Sequence, residues 1–343
     1  MIYIDGSHGE GGGQVLRTSL ALSLVTGQPF RIDHIRAGRE KPGLMRQHLT
    51  AVRAAAEIGG ASVEGAAIGS QALAFRPRAV RPGTYHFAVG TAGSATLVLQ
   101  TILPALLTAP EPSELTLEGG THNPWAPPFD FLQKSFLPLV ERMGPRVAAS
   151  LDRYGFYPAG GGRFHVRVEP AERLVPIDLT ERGEVRSRSA RAIVANLSKR
   201  IAKRELNAVA KKMNWDEDCF RAEEVEAACP GNVLLVEIES EAATEVFAGF
   251  GRVGVRAEAV ARSAVEEVRT YLASGVPVGR YLADQLMVPF VLAGGGAFCT
   301  LPLSRHARTN IDVIRRFVPE EIRVAEEEDG GVKVRVGGAD DAS

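Results

Sequence analysis

The chain reads as an α/β (α+β) protein: three repeated strand–helix units, with a separate small α/β domain inserted between the second and the third. Two observations predict this. One local grammar occurs three times, a glycine-rich approach, a glutamine, an apolar helix and then a strand. The spacing of the three glutamines is also unequal. Gln14 and Gln100 lie 86 residues apart and Gln100 and Gln285 lie 185 apart, an excess of 99 that matches a small domain. The boundaries that follow are a core at 1–179 and 277–343 and an insert at 180–276.

The first unit opens with an apolar strand (1–4) and a loop holding five glycines and one carboxylate, Glu10. A helix follows at 15–25, then a strand at 29–35. Glycines at a strand-to-helix turn let backbone N–H groups approach a ligand, and a helix N-terminus favours an anion. No Gly-x-x-x-x-Gly-Lys-Ser/Thr loop occurs, and Gln14 stands where a dinucleotide fingerprint needs its third glycine. The second unit runs from Gly93 through Gln100, a helix at 101–109 and a strand at 113–119. The third runs from Gln285 through 286–293 to a strand at 296–301. Each continues into a further helix (49–58, 129–143, 310–317) and closes with an alternating strand (72–77, 164–170, 332–336). The second unit closes near Pro170 and the third begins near Val278. Between them the periodicity predicts a strand at 186–196, a basic helix at 199–213, a hairpin of 232–239 with 244–250, and an amphipathic helix at 257–273. Residues 337–343 read as a frayed tail.

With 343 residues and 45% hydrophobic content the chain can bury a large core. A net charge of −1 excludes a wholesale polyanion binder, so any nucleic-acid contact is local. Three scattered cysteines (Cys219, Cys229, Cys299) without Cys-x-x-Cys argue against a zinc site or a disulfide scaffold. Asp5 and Glu10 interrupt the apolar start and no basic leader precedes it, so no secretory signal is expected. The apolar stretches are too short and proline-broken to span a bilayer. The expectation is a soluble cytoplasmic protein with no membrane partner.

Three segments can carry chemistry. Residues 35–48 gather Arg36, Arg39, Lys41 and Arg46 around two glycines, then open a helix. Arginines spaced by three can converge on one phosphate; the alternative is a solvated basic loop. Residues 119–131 form a proline-stiffened loop with Trp125, Phe129 and Phe131, either a base-stacking platform or a structured turn into a helix. His306 falls between the third unit's strand and its next helix, where functional side chains collect. It lacks metal-binding partners at helical spacing and no Gly-x-Ser-x-Gly elbow supports a serine triad. General acid/base or nucleophilic work remains.

These segments resemble one family closely. Asp5-Gly-Ser-His-Gly-Glu-Gly-Gly-Gly-Gln14, Arg36-Ala-Gly-Arg39-Glu-Lys-Pro-Gly-Leu44 and Gly90-Thr-Ala-Gly-Ser-Ala95 are similar to RNA 3'-terminal phosphate cyclase. So are Gly155-Phe-Tyr-Pro-Ala-Gly-Gly-Gly162, Tyr281-Leu-Ala-Asp-Gln285 and His306-Ala-Arg-Thr-Asn310, in order from Ile4 to about Val336. The resemblance implies core units like the C-terminal domain of bacterial translation initiation factor three, with a thioredoxin-like insert. It implies an ATP-dependent ligase-class enzyme that turns an RNA 3'-terminal phosphate into a 2',3'-cyclic phosphodiester. By resemblance His306 is the nucleophile that carries AMP. Arg17, Arg36, Arg39 and Gln47 hold the RNA phosphate, and Gln100, Pro127, Phe131, Tyr281, Asp284 and Gln285 surround the adenylate. Glu10 sits beside a divalent cation, magnesium or manganese, or beside the phosphates. One departure is visible: bulky Trp125 stands where the family often has a small residue, and it either alters base preference or packs within the loop.

Two other readings compete. A catalytically silent homologue acting in ribosome biogenesis would lack the histidine. A sugar-enolpyruvyl transferase, built from similar repeats, would leave His306 and the adenylate residues without a role. The cations of the insert's helix (Lys199, Arg200, Lys203, Arg204, Lys211, Lys212) read as a solvated face or as an extension of the RNA track.

Overall fold

The computed structural model describes residues 1–328 and 330–337, so the expected frayed tail at 337–343 lies outside them except for Gly337. In chain order the first stretch is β1 (Ile2–Asp5), α1 (Gly13–Thr26), β2 (Phe30–Asp33), α2 (Arg46–Ile58), β3 (Ser62–Glu64) and β4 (Leu73–Arg76). The second is β5 (Thr84–Ala88), α3 (Ala95–Leu106), β6 (Ser113–Gly119), α4 (Phe129–Phe131), a π-helical turn at Leu132–Phe136, α5 (Leu137–Glu141), β7 (Arg146–Arg153) and β8 (Gly162–Glu169). After β9 (Asp178–Leu179) come β10 (Val185–Ala195), α6 (Arg200–Met213), a 3-10 turn at Glu217–Cys219, β11 (Phe220–Val225), β12 (Gly231–Ser240), β13 (Thr244–Phe250) and α7 (Ala257–Ser274). The chain ends with α8 (Arg280–Leu292), β14 (Gly296–Thr300), α9 (Arg305–Ile314), β15 (Ile322–Glu326) and β16 (Val332–Val336).

The strands form four four-stranded sheets: β1-β2-β4-β3, β5-β6-β8-β7, β9-β14-β16-β15 and β11-β10-β12-β13. All four share one pattern, a parallel first pair followed by two antiparallel pairings. In the third sheet the parallel edge strand is β9, which precedes residue 180, whereas the sequence places the start of that unit near Val278. Two residues are too few to show any alternation, so nothing in the sequence marks β9 as a strand.

Helix ends follow local chemistry. Gly27 adopts the left-handed conformation after α1 and its N–H reaches Ser23 O at 3.0 Å. The Ser94 and Ser304 side chains cap α3 and α9, each accepting a backbone N–H at 3.1 Å. The sequence places His306 in a loop before a helix at 310; the Ser304 cap instead starts α9 at Arg305, so His306 lies in its first turn. Gly12, ahead of α1, offers no side-chain cap, which leaves that helix's first N–H groups free of a capping oxygen.

The helices meet at the centre of the main cluster. α1 packs against α2, α3 and α9, α3 also contacts α8, and α8 contacts α9. The fourth sheet is buried on both faces. Ala190, Ala192, Val194, Leu234, Val236 and Ile238 face α6 and α7, while Ile193, Ala195, Val233, Leu235 and Val246 join the main cluster. Two-sided burial explains why β12 reads as a nearly continuous apolar run. Cys219 and Cys229 are not joined in a disulfide. Among the described residues no helix is long and apolar enough to cross a membrane.

Candidate active site

The repeat brings its glutamines together. Gln14 on α1, Gln100 on α3 and Gln285 on α8 line one cleft, with Arg17, Thr18, Asp284 and Asn310. A chain of hydrogen bonds runs across it. Gln14 Nε2 donates to Asp284 Oδ1 at 2.5 Å, and Gln14 Oε1 lies 2.9 Å from His306 Nδ1. Asn310 accepts from Thr18 Oγ1 at 2.7 Å and donates to the Asp284 carbonyl at 3.0 Å. With its amide NH2 on Asp284, Gln14 presents only its carbonyl to the imidazole. His306 must therefore carry its proton on Nδ1, and the lone pair sits on Nε2.

That nitrogen faces Glu10 Oε1 across 3.7 Å. Burial holds the His306 pKa below its usual value, helped by Arg39 and Arg17 and opposed by Asp284. The imidazole is thus neutral near pH 7, and with half of its side chain exposed it is open to attack a ligand.

Glu10 is tucked in by the glycines around it. A Cβ on Gly12 would collide with its carboxylate, and one on Gly9 would collide with Thr309. The Glu10 N–H donates to Thr309 Oγ1 at 3.0 Å, tying the loop to α9. Only 7% of the carboxylate side chain is exposed; Oε1 pairs with Arg39 and Oε2 has no partner. An orphaned buried carboxylate oxygen fits a divalent cation that takes its other ligands from phosphates and water, because no cluster of three or more His, Cys, Asp or Glu exists among the described residues.

Arg17 is half-buried beside the cleft, and burial brings its guanidinium down to about 10, still charged at pH 7. A Cβ on Gly13 would strike the His48 ring, so glycine is required for α1 to approach it. Arg36 is held in a left-handed backbone conformation and its Nη1 donates to the Lys41 and Gly43 carbonyls at 2.7 Å, shaping the arginine loop. Gln47 Oε1 accepts from Ser94 N at 3.0 Å, which joins the first two units. The Gln100 amide nitrogen is buried without a partner and faces the cleft.

Three expected adenylate residues lie off this cleft. Phe131 is buried in the core, Pro127 O accepts from Thr96 Oγ1 at 2.8 Å, and the Tyr281 side chain is exposed and bonds to Glu267. Trp125 does not pack within its loop: it is 84% exposed. Sequence reasoning did not assign Gln14, Thr18 or Asn310 to the site. The signal for Gln14 was the repeat itself.

Residues 8–324 match the family described as RNA 3'-terminal phosphate cyclase, a stretch that includes every residue discussed above. The chain belongs to that family. A protein named RNA 3'-terminal phosphate cyclase from Koribacter versatilis (strain Ellin345) is 54% identical over 329 residues, covering 96% of this chain and 93% of its own. One of the same name from Ralstonia nicotianae is 54% identical over 336 residues, covering 98% and 96%. An EPSP synthase structure from Acinetobacter baumannii spans 95% of this chain and 62% of its own at 10% identity and a TM-score of 0.28, too slight a likeness to carry an argument. RNA 3'-terminal phosphate cyclases are enzymes of the ligase class.

Proposed function

We propose that this protein converts an RNA 3'-terminal phosphate into a 2',3'-cyclic phosphodiester, using ATP. The observation that carries the reading is the Asp284–Gln14–His306 chain, which fixes a neutral imidazole with its lone pair on Nε2. Nε2 attacks the α-phosphorus of ATP, a P–N bond forms, and pyrophosphate leaves with the electrons of the broken P–O bond. The Nδ1 proton stays on His306 throughout, donated to the Gln14 carbonyl. An oxygen of the RNA 3'-phosphate then attacks the same phosphorus, the P–N bond breaks and His306 is regenerated. Attack of the neighbouring 2'-hydroxyl on the RNA phosphorus expels AMP and closes the ring, the hydroxyl proton passing to the departing AMP phosphate or to water, with proximity supplying much of the rate.

In this reading Arg17, Arg36, Arg39 and Gln47 hold the RNA phosphate, whose negative charge arginine forks match. Gln100, Pro127, Phe131, Tyr281, Asp284 and Gln285 surround the adenylate. Glu10 would hold a divalent cation, magnesium or manganese, that neutralises charge developing on the phosphates. The core at 1–179 and 277–343, with its units like translation initiation factor three, is the catalytic body; the thioredoxin-like insert is 180–276. The working place is the cytoplasm. The silent ribosome-biogenesis reading gives the free Nε2 no role.

With α-labelled ATP and a divalent cation, wild type is expected to become covalently labelled with AMP, and His306→Ala is not. Persistent labelling of that variant would move the nucleophile elsewhere, and an unlabelled wild type would sink the enzyme reading. Arg39→Ala is expected to retain self-adenylylation and to slow transfer to a 3'-phosphorylated RNA. Loss of the first step in Arg39→Ala would instead give that arginine to the nucleotide.

A further inference from the structure

We infer that Trp125 and Arg252 form a stacking subsite for a nucleobase of the RNA strand, beside the phosphate site; the inference rests on the function proposed above. Trp125 is 84% exposed and adopts a left-handed backbone conformation, with φ of 70°. Bulky residues enter that region rarely and only where the surroundings impose it. Here they do. The Asn123 amide donates to Ala92 O, Phe129 N donates to Thr121 O at 2.9 Å, and Thr96 Oγ1 donates to Pro127 O at 2.8 Å. Buried His122 lies 2.7 Å from Asp130 and fixes the base of the loop. The backbone that carries Trp125 is therefore anchored, and the indole stands out from it into solvent.

The position suits the acceptor strand. The turn at 91–96 touches the Trp125 loop through Ala92 and Thr96, and it touches Gln47 through Ser94 N. Trp125 and the expected phosphate ligand Gln47 thus flank one turn. From the insert, the exposed Arg252 guanidinium lies 5.9 Å from the indole centroid. It covers one part of the ring by a cation–π contact and offers a cation to the strand's backbone. A planar ring with a neighbouring cation is the arrangement that binds single-stranded RNA without reading its sequence. The ring faces solvent, whereas the glutamine cleft lies among α1, α3 and α8. An RNA strand leaving the site can reach it.

The test is binding of a fluorescent oligoribonucleotide ending in a 3'-phosphate, followed by anisotropy, which needs no turnover. Trp125→Ala is expected to weaken binding about fivefold or more, Trp125→Phe to recover most of that loss, and Arg252→Ala to weaken it and reduce its salt dependence. An abasic residue placed in turn at the last three positions is expected to penalise wild type at one position and Trp125→Ala at none. Unchanged RNA affinity in Trp125→Ala overturns the subsite, and a loss seen for ATP in place of RNA assigns the stacked base to the nucleotide. Covalent labelling by ATP on the same preparations separates this outcome from a failure of the proposed function.

Discussion

Gln14 gives His306 a fixed tautomer without giving it a charge. A carboxylate in that position would also orient the ring, but it would raise the imidazole's basicity and favour the protonated, non-nucleophilic form. The neutral amide passes on the orientation of Asp284 and keeps the negative charge one side chain away. Gln14→Ala is therefore expected to slow self-adenylylation about 10- to 100-fold, the range found when a partner that orients a working side chain is removed. A rate within twofold of wild type would discard the role. His48 supplies a second residue-level expectation. It is buried beside Gly13, accepts from Met45 N at 3.2 Å, and burial, then Arg17 and Arg36, push its pKa down to about 3. The unfolded chain takes up this proton near pH 6.5 and the native state does not until about 3. The stability linked to His48 is thus whole above 6.5 and is lost as pH falls toward 3. Thermal melts between pH 7 and 4 should fall less steeply for His48→Gln than for wild type. The arginine loop and His306 were legible in the sequence because their residue types are chemically distinctive. The Gln14 contact was not, since it joins residues 292 positions apart that only the fold brings together.

At the level of elements, α8 depends on a carboxyl from a different sheet. The N–H of Gly279, its N-cap, donates to Glu245 Oε1 on β13 at 2.5 Å. This helix carries Asp284 and Gln285, so a strand of the fourth sheet supports the cleft. Burial raises the Glu245 pKa to about 8, and the Gly279 hydrogen bond offsets only part of that. Between pH 4.5 and about 8 the native state keeps a proton that the unfolded chain releases. Stability therefore falls as pH rises through that window, by up to a few kcal/mol at about 1.4 kcal/mol per unit. Glu245→Gln retains an acceptor and cannot ionise. It should melt higher than wild type at pH 8 and not at pH 4.5; parallel melting curves across the window would contradict this. Apolar periodicity made α1 and the long strands readable, but it placed the starts of α3 and α8 six residues late, so Gln100 and Gln285 lie inside their helices and not ahead of them. It missed β9, which has two residues, and misplaced the start of α9, which a single serine cap sets. The π-turn at Leu132–Phe136 was also hidden, because a continuous apolar helix gives the same pattern.

Over the whole molecule, the burial pattern argues against independent melting of the fourth sheet with α6 and α7, the segment proposed above as an insert. These elements lie between Val185 and Ser274, yet Ile193, Ala195, Val233, Leu235 and Val246 belong to the main hydrophobic cluster. The alternate residues of the same strands face α6 and α7, so each of these strands has core on both sides. Charged pairs cross at the same place: Lys134 meets Glu237 at 2.6 Å, and Arg191 pairs with Asp130. Separating the two parts would expose one full face of a sheet and leave the buried Asp130 without its cation, a combination that is strongly unfavourable. One cooperative transition is therefore expected, with equal calorimetric and van't Hoff enthalpies. Trp215 is buried in the insert and provides a local probe in a Trp125→Phe background. Its fluorescence midpoint should coincide with that of far-ultraviolet circular dichroism. Leu235→Ala should lower both together, with a loss of about 2–4 kcal/mol for a fully buried leucine. If Trp215 melted several degrees apart from the rest, the insert would be a separate folding unit and its sheet face only a docking surface.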